Sequence, residues 1–188
     1  MTLLLKDFKV ASMTDAITAI QNGAQRISLH NHNLTPSRGM IAEITKYAHE
    51  HRVSVNVIIN QTFDSDNKLT DSDIKILETD IFECQALGVD SVEFSCFTND
   101  SFDEDAATQL LAACGGMACN LGTLNQIISN NVMQRAFEWS NDNYLDRIYV
   151  DNIDQFELAS KYFATEQIVL STTADSNLNN NNIKQIRL

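Results

Sequence analysis

Basic charge is scarce in this sequence. Thirteen lysines and arginines stand against 25 aspartates and glutamates, for a formal net charge of −12. Nucleic acids and anionic membrane surfaces are held by clustered Lys and Arg, so neither is an expected partner. Long apolar runs are missing too. The opening MTLLLKDFK has three leucines in a row, too few for a signal-peptide core or a membrane span, and the expected location is the cytoplasm. Cys84, Cys96, Cys114 and Cys119 form no Cys-x-x-Cys pair. That spacing gives no zinc framework, and in a reducing compartment these residues are expected as free thiols, mostly packed as small hydrophobes. No Gly-x-Gly-x-x-Gly follows the first strand candidate, so the dinucleotide fingerprint is absent. What is present is apolar content, 44% of 188 residues, which suits one domain (1–188) with a sizeable core.

Short β-branched runs alternate with helical patterns along the chain. Strands are expected at Leu3 to Phe8, Arg26 to His30, Ser54 to Asn60, Ser91 to Cys96, Gly116 to Asn120, Arg147 to Asp151 and Gln167 to Thr172, with an eighth in the closing IKQIRL. Helices are expected over Thr14 to Asn22, from a Ser37 cap to Glu50, and from a Thr70/Asp73 capping box through Cys84. Three more follow at Asp103 to Ala113, Leu124 to Ser140 and Asp154 to Phe163. The stretch ADSNLNNNN has no apolar face and reads as a loop. Strict β-α alternation implies a parallel sheet. Eight such strands predict an α/β fold, a shortened (β/α)8 TIM-type barrel with the strand 7–8 helix reduced and no final helix. An open doubly wound sheet is the alternative.

Alternation also assigns the interior. With Ile27 and Leu29 facing helices, Arg26, Ser28 and His30 point inward. By the same rule Asp7, Asn56, Asn60, Glu93, Ser95, Asn120, Tyr149, Asp151, Ser171 and Thr173 point inward, and Cys119 points out. Such a polar interior must be hydrogen-bonded or wet. It is either a small polar pocket or a set of groups that satisfy one another.

The block DAITAIQNGAQRISL, followed by LTPSRGMI, resembles the CutC family, which is named for copper homeostasis. Members of that family have a helix ending in Gly-Ala-Asp/Lys-Arg, a Glu-Leu-Cys strand, and Gly-Gly-x-Thr-Pro-Ser before the second helix. DSDIKILETDIFECQALGVDSVEF and LDRIYV are similar to later family segments. The resemblance implies a (β/α)8 barrel, a cytoplasmic protein and a role linked to copper homeostasis. The family's strand-one Glu-x-Cys falls on Asp7 and Lys9, and its strand-two Glu-Leu-Cys on Ser28, Leu29 and His30. Its Gly-Gly is replaced by NHNL, its Ile-Arg-Pro-Arg-Gly-Gly is reduced to Ile59, Asn60, Gln61 and Thr62, and its Phe-His-Arg-Ala-Phe-Asp becomes Cys119 to Leu124. The fold carries over more readily than the chemistry.

Copper is the candidate cofactor that the resemblance brings. His30 is the candidate ligand, one soft donor standing for another, and His32 lies in the following loop and is not expected to share a metal with it. Because thiolates bind Cu(I) better than imidazole or ammonium, weak or no copper binding is expected. His49 and His51 end the second helix, where a cation suits the dipole. An acid/base enzyme acting on a small molecule is the second reading, with Asp7, Glu93 and Asp151 as catalytic carboxylates and Ser28, Asn60, Asn120 and Ser171 lining the pocket. No Lys is expected to suit Schiff-base chemistry: Lys6 faces outward and Lys9 sits at the rim. STTADSN lacks the glycines of a phosphate loop, which disfavours phosphorylated substrates. A non-catalytic scaffold is the third reading. A homodimer is expected, because Ile168, Leu170, Ile186 and Leu188 would lie under a polar crossover that covers nothing.

Overall fold

Eight parallel strands pair in sequence order, and the last returns to the first, closing a barrel. The computed structural model describes residues 4–60, 68–98, 100–123, 128–172 and 183–188. The elements are β1 (Leu5–Val10), α1 (Met13–Gln21), β2 (Arg26–Leu29), α2 (Arg38–Glu50), β3 (Ser54–Ile58), α3 (Asp71–Ala86), β4 (Ser91–Phe94) and α4 (Glu104–Cys114). They continue as β5 (Ala118–Gly122), α5 (Asn130–Asp142), β6 (Arg147–Val150), α6 (Ile153–Ala159), a 3-10 turn (Thr165–Gln167), β7 (Ile168–Ser171) and β8 (Gln185–Arg187). The open-sheet alternative is thereby set aside.

Helix starts follow from the sequence. Ser12, Ser37, Asp103 and Asn152 each accept the backbone N–H three residues on. Thr70 and Asp73 form the expected reciprocal box. Gly88 takes φ +74°, which lets the chain leave α3 in the left-handed region at no steric cost. The core lies between sheet and helices: Ile27, Leu29, Val55, Val57, Val92, Phe94, Leu121 and Ile148 face out to Ile41, Ile44, Leu77, Ile81, Leu110 and Phe137.

Several boundaries differ from expectation, β3 and β4 ending two residues early at Ile58 and Phe94. β1 runs on to Val10, because Lys9 pairs with Ser28 and Val10 with Leu29. That register carries Lys9 inside the sheet rather than onto the rim. β5 begins at Ala118, after Gly115 at φ +59° and a turn in which the Met117 N–H donates to the Cys114 carbonyl at 2.9 Å. α6 stops at Ala159, where the Tyr162 and Phe163 N–H groups both turn back onto the Ala159 carbonyl. The strand 7–8 crossover, including Thr173, and the expected start of the fifth helix lie outside the described residues, as do Gln61 and Thr62.

Ile168, Leu170 and Ile186 are 0%, 3% and 5% exposed within the single chain. The bare apolar patch that motivated a dimer at this side of the barrel is therefore not present on these three side chains. Among the described residues no helix is long and apolar enough to cross a membrane.

Candidate active site at the barrel mouth

Period-two alternation places one polar group after another on the inner wall. The pairing registers align Asp7 with Arg26 and Arg187, Ser28 with Asn56, and Glu93 with Asn120. Asp7, Ser28, Asn56 and Asn120 are fully buried, and Glu93, Arg26 and Arg187 nearly so. Branched apolar residues usually fill this space in a barrel. Here two carboxylates and two guanidinium groups do, and their formal charges cancel.

Arg187 is the hub. Its Nη1 donates to Glu93 Oε1 at 3.1 Å and its Nη2 donates to Glu93 Oε2, a two-pronged pair. Nη2 also donates to Ser28 Oγ at 2.9 Å, and Nε lies 3.9 Å from Asp7 Oδ2. The guanidinium carbon sits 3.6 Å from the centroid of the Tyr149 ring. Burial opposes its charge, but Glu93, Tyr149 and Asp7 outweigh that and raise its pKa further. Asp7 Oδ2 accepts from Ser28 Oγ at 2.9 Å and from the Tyr149 hydroxyl at 3.0 Å, with Arg26 Nη1 3.7 Å away. Burial and then the Asp7 charge push the Tyr149 phenol upward, so it stays a donor. Asn56 links the two halves, donating to Ser28 Oγ at 3.2 Å and Glu93 Oε2 at 2.9 Å while accepting from Ser91 and Asn120.

Above this network, at the C-terminal ends of the strands, a cavity of about 140 Å³ opens. Its described walls are Lys9, Glu93, Thr123, Tyr149, Asp151, Ser171, Thr172, Arg187 and Leu188. Thr123 donates its hydroxyl to Asp151. Lys9 is half-buried, and burial followed by the Arg187 charge lowers its pKa against the opposing pull of Glu93 and Asp151.

The expected residues divide between the two levels. Glu93, Asp151 and Ser171 line the cavity. Asp7, Ser28 and Asn120 belong to the buried network beneath it, so the three candidate carboxylates do not meet at the mouth. Asn60 is outside the cavity wall, and its backbone N–H and carbonyl both pair with Thr35. Lys9 is a correction: it faces the cavity. Arg187 and Gly122 escaped the sequence reading altogether.

His30 follows β2, its N–H donating to the Val10 carbonyl at 3.0 Å. Its ring centroid is 6.3 Å from that of His32, edge to face. Burial, then the charges of Lys9, His32 and Arg187, depress its pKa from 6.5 to about 4. The native state therefore holds it neutral while the unfolded chain takes up a proton below about pH 6.5, so stability falls as pH drops towards 4. Its ring is partly exposed, which discounts the effect to roughly 1 kcal/mol, or about 2–4 °C. Melting curves at pH 7 and pH 4 are expected to show that much less acid loss in His30→Gln than in the parent; equal losses would reject it.

All four cysteines are buried free thiols. Cys119 faces away from the barrel interior, its sulfur 3.1 Å from that of Cys114 at the end of α4. Cys114 Sγ also donates to the Leu110 carbonyl at 3.3 Å. Burial pushes Cys84 up to about 12. Burial raises Cys96, and the contact with Cys114 followed by burial raises Cys119. Thiolates are disfavoured at these positions, and among the described residues no three His, Cys, Asp or Glu side chains group to hold a metal.

A closed parallel barrel with its cavity at the strand C-termini defines a (β/α)8 protein built on the usual plan of barrel enzymes. The chain belongs to the CutC family, whose model matches residues 4–140. It is 31% identical to a CutC family protein of Enterococcus faecalis over 150 residues, 77% of this chain and 71% of that one. A CutC family protein of Streptococcus pyogenes is 28% identical over 119 residues, 61% of this chain and 56% of that one. In fold it matches a crystal structure from Streptococcus agalactiae that carries the name copper homeostasis protein CutC, with a TM-score of 0.83, 22% identity and 98% of each chain covered. An HpcH/HpaI aldolase from Desulfitobacterium hafniense shares the barrel at a TM-score of 0.70 and 7% identity, over 98% of this chain and 85% of that one.

Proposed function

We propose that this CutC-family barrel binds a small polar molecule at its mouth and does not hold copper there. One observation carries the reading: the cavity wall offers an amine, a guanidinium, two carboxylates and hydroxyls, and no thiol. Lys9 and His30 stand at the strand-end positions where the family resemblance puts cysteines, and nitrogen donors hold Cu(I) less well than thiolates. The chain's own thiols are packed outside the barrel wall. A net charge of −12 and free thiols suit a cytoplasmic protein acting on small molecules. Glu93 and Asp151 both line the cavity, and Asp151 brings a carboxylate that can accept a proton beside a bound molecule.

Competition with a Cu(I) chelator tests the copper half. The protein is expected to leave Cu(I) with the chelator, and the double variant Lys9→Cys/His30→Cys to withdraw one equivalent. Stoichiometric uptake by the parent, lost in His30→Ala, would overturn the reading.

A further inference from the structure

Lys9 is the one group at the mouth whose chemistry the acid/base reading leaves unused. It alternates with Asp7 along β1, so both side chains point into the barrel, and the Lys9 N–H donates to the Leu188 carbonyl at 2.8 Å, which pins its backbone. Its side chain is half-buried and in no ion pair among the described residues, unlike Arg187 below it, which Glu93 grips with two bonds. A lysine amine half withdrawn from water beside another cation gives up its proton more readily than an exposed one, which favours the nucleophilic form. The cavity of about 140 Å³ holds roughly five waters' worth of volume, room for a molecule of a few carbons. Asp151, held by the Thr123 hydroxyl, and Ser171 share the wall with Lys9.

We propose that Lys9 is a carbonyl-capturing nucleophile, and that the mouth takes a small aldehyde or ketone as an imine on Lys9 Nζ. The proposal rests on the mouth being a small-molecule site. The ammonium first gives a proton to the Asp151 carboxylate; the neutral amine attacks the carbonyl carbon, a C–N bond forms, and the C=O π pair moves to oxygen, which takes that proton back from Asp151. Nitrogen then gives up its proton to the Asp151 carboxylate. The resulting acid protonates the hydroxyl, the C–O bond breaks, and water leaves as the nitrogen lone pair closes C=N. Ammonium plus carbonyl thus gives protonated imine plus water, with no oxidant or reductant needed. Arg187, paired with Glu93, shapes the floor and takes no part in the bond changes.

Reductive trapping tests this. The full chain is incubated at neutral pH with glyoxylate or propanal and cyanoborohydride, and adducts are located by peptide mass spectrometry. Lys9 is expected to carry at least tenfold more adduct than any of the other six lysines. Lys9→Arg keeps the charge and is expected to lose the selective adduct, with the other lysines labelled as in the parent. A thermal shift without preferential Lys9 labelling overturns the imine and leaves the small-molecule site standing. Labelling spread evenly over the lysines, with no shift from either probe, overturns both.

Discussion

Replacing Arg187 with methionine is expected to cost about 3–5 kcal/mol, the loss seen when one member of a buried ion pair is removed and the other stays. The reason is local. Glu93 is 1% exposed and takes both prongs of the guanidinium, and Asp7, fully buried, has Arg187 as one of its two nearby cations. Without Arg187 the two buried carboxylates keep Arg26 as the one buried cation among the described residues. Methionine preserves much of the volume, so the cost reports charge rather than a cavity. Urea unfolding followed by circular dichroism reads it. Glu93→Gln added to Arg187→Met is expected to recover part of the loss, since an amide tolerates burial that a carboxylate does not. A cost below about 1 kcal/mol, the range of an exposed pair, would place Glu93 in contact with water and reject the closed network.

That network shows how far the sequence reaches. The eight strands, their parallel order and the inward direction of Asp7, Ser28, Asn56, Glu93, Asn120 and Tyr149 follow from period-two alternation, because a barrel strand has helices on one side and the interior on the other. The identical rule on β8 turns Arg187 inward between Ile186 and Leu188. In a strand of three residues, Gln185–Arg187, that alternation is too short to mark the arginine as a site residue. Its partner Glu93 is 94 positions away, and no local pattern joins them. Lys9 looked like a rim residue because the apolar run LLL drew β1 two positions too early. Only pairing with Ser28, fixed by barrel closure, extends the strand. The thiol contact between Cys114 and Cys119 crosses a turn from helix to strand and has no period to betray it. The mouth was thus legible as polar, while the division into a buried charge network and an open cavity depends on side-chain lengths across the barrel.

Gly122 is the second position where a small change should have a large effect. A glycine inside a strand marks a close approach, and here what approaches is Glu93. A Cβ built on Gly122 lies 2.9 Å from Glu93 Cδ and 3.0 Å from Cγ, well inside the roughly 3.5–4.0 Å of a carbon contact. Both atoms belong to a side chain that Arg187 and Asn56 hold from the other side, so Glu93 has little freedom to yield. Gly122→Ala is expected to cost about 1–3 kcal/mol, as overpacked cores do. It also pushes the Glu93 carboxylate off Arg187 and alters the cavity floor. Shortening the acid separates this from a plain strand effect. Glu93→Asp alone is destabilising, because the carboxylate no longer reaches Arg187 with both oxygens. In the Gly122→Ala background the same change withdraws the clashing carbons. The double variant should therefore be more stable than the sum of the two single losses predicts, by about 0.5–3 kcal/mol, the range for residues in contact. Additivity within about 0.5 kcal/mol in urea unfolding would mean that the missing side chain at position 122 does not make room for Glu93.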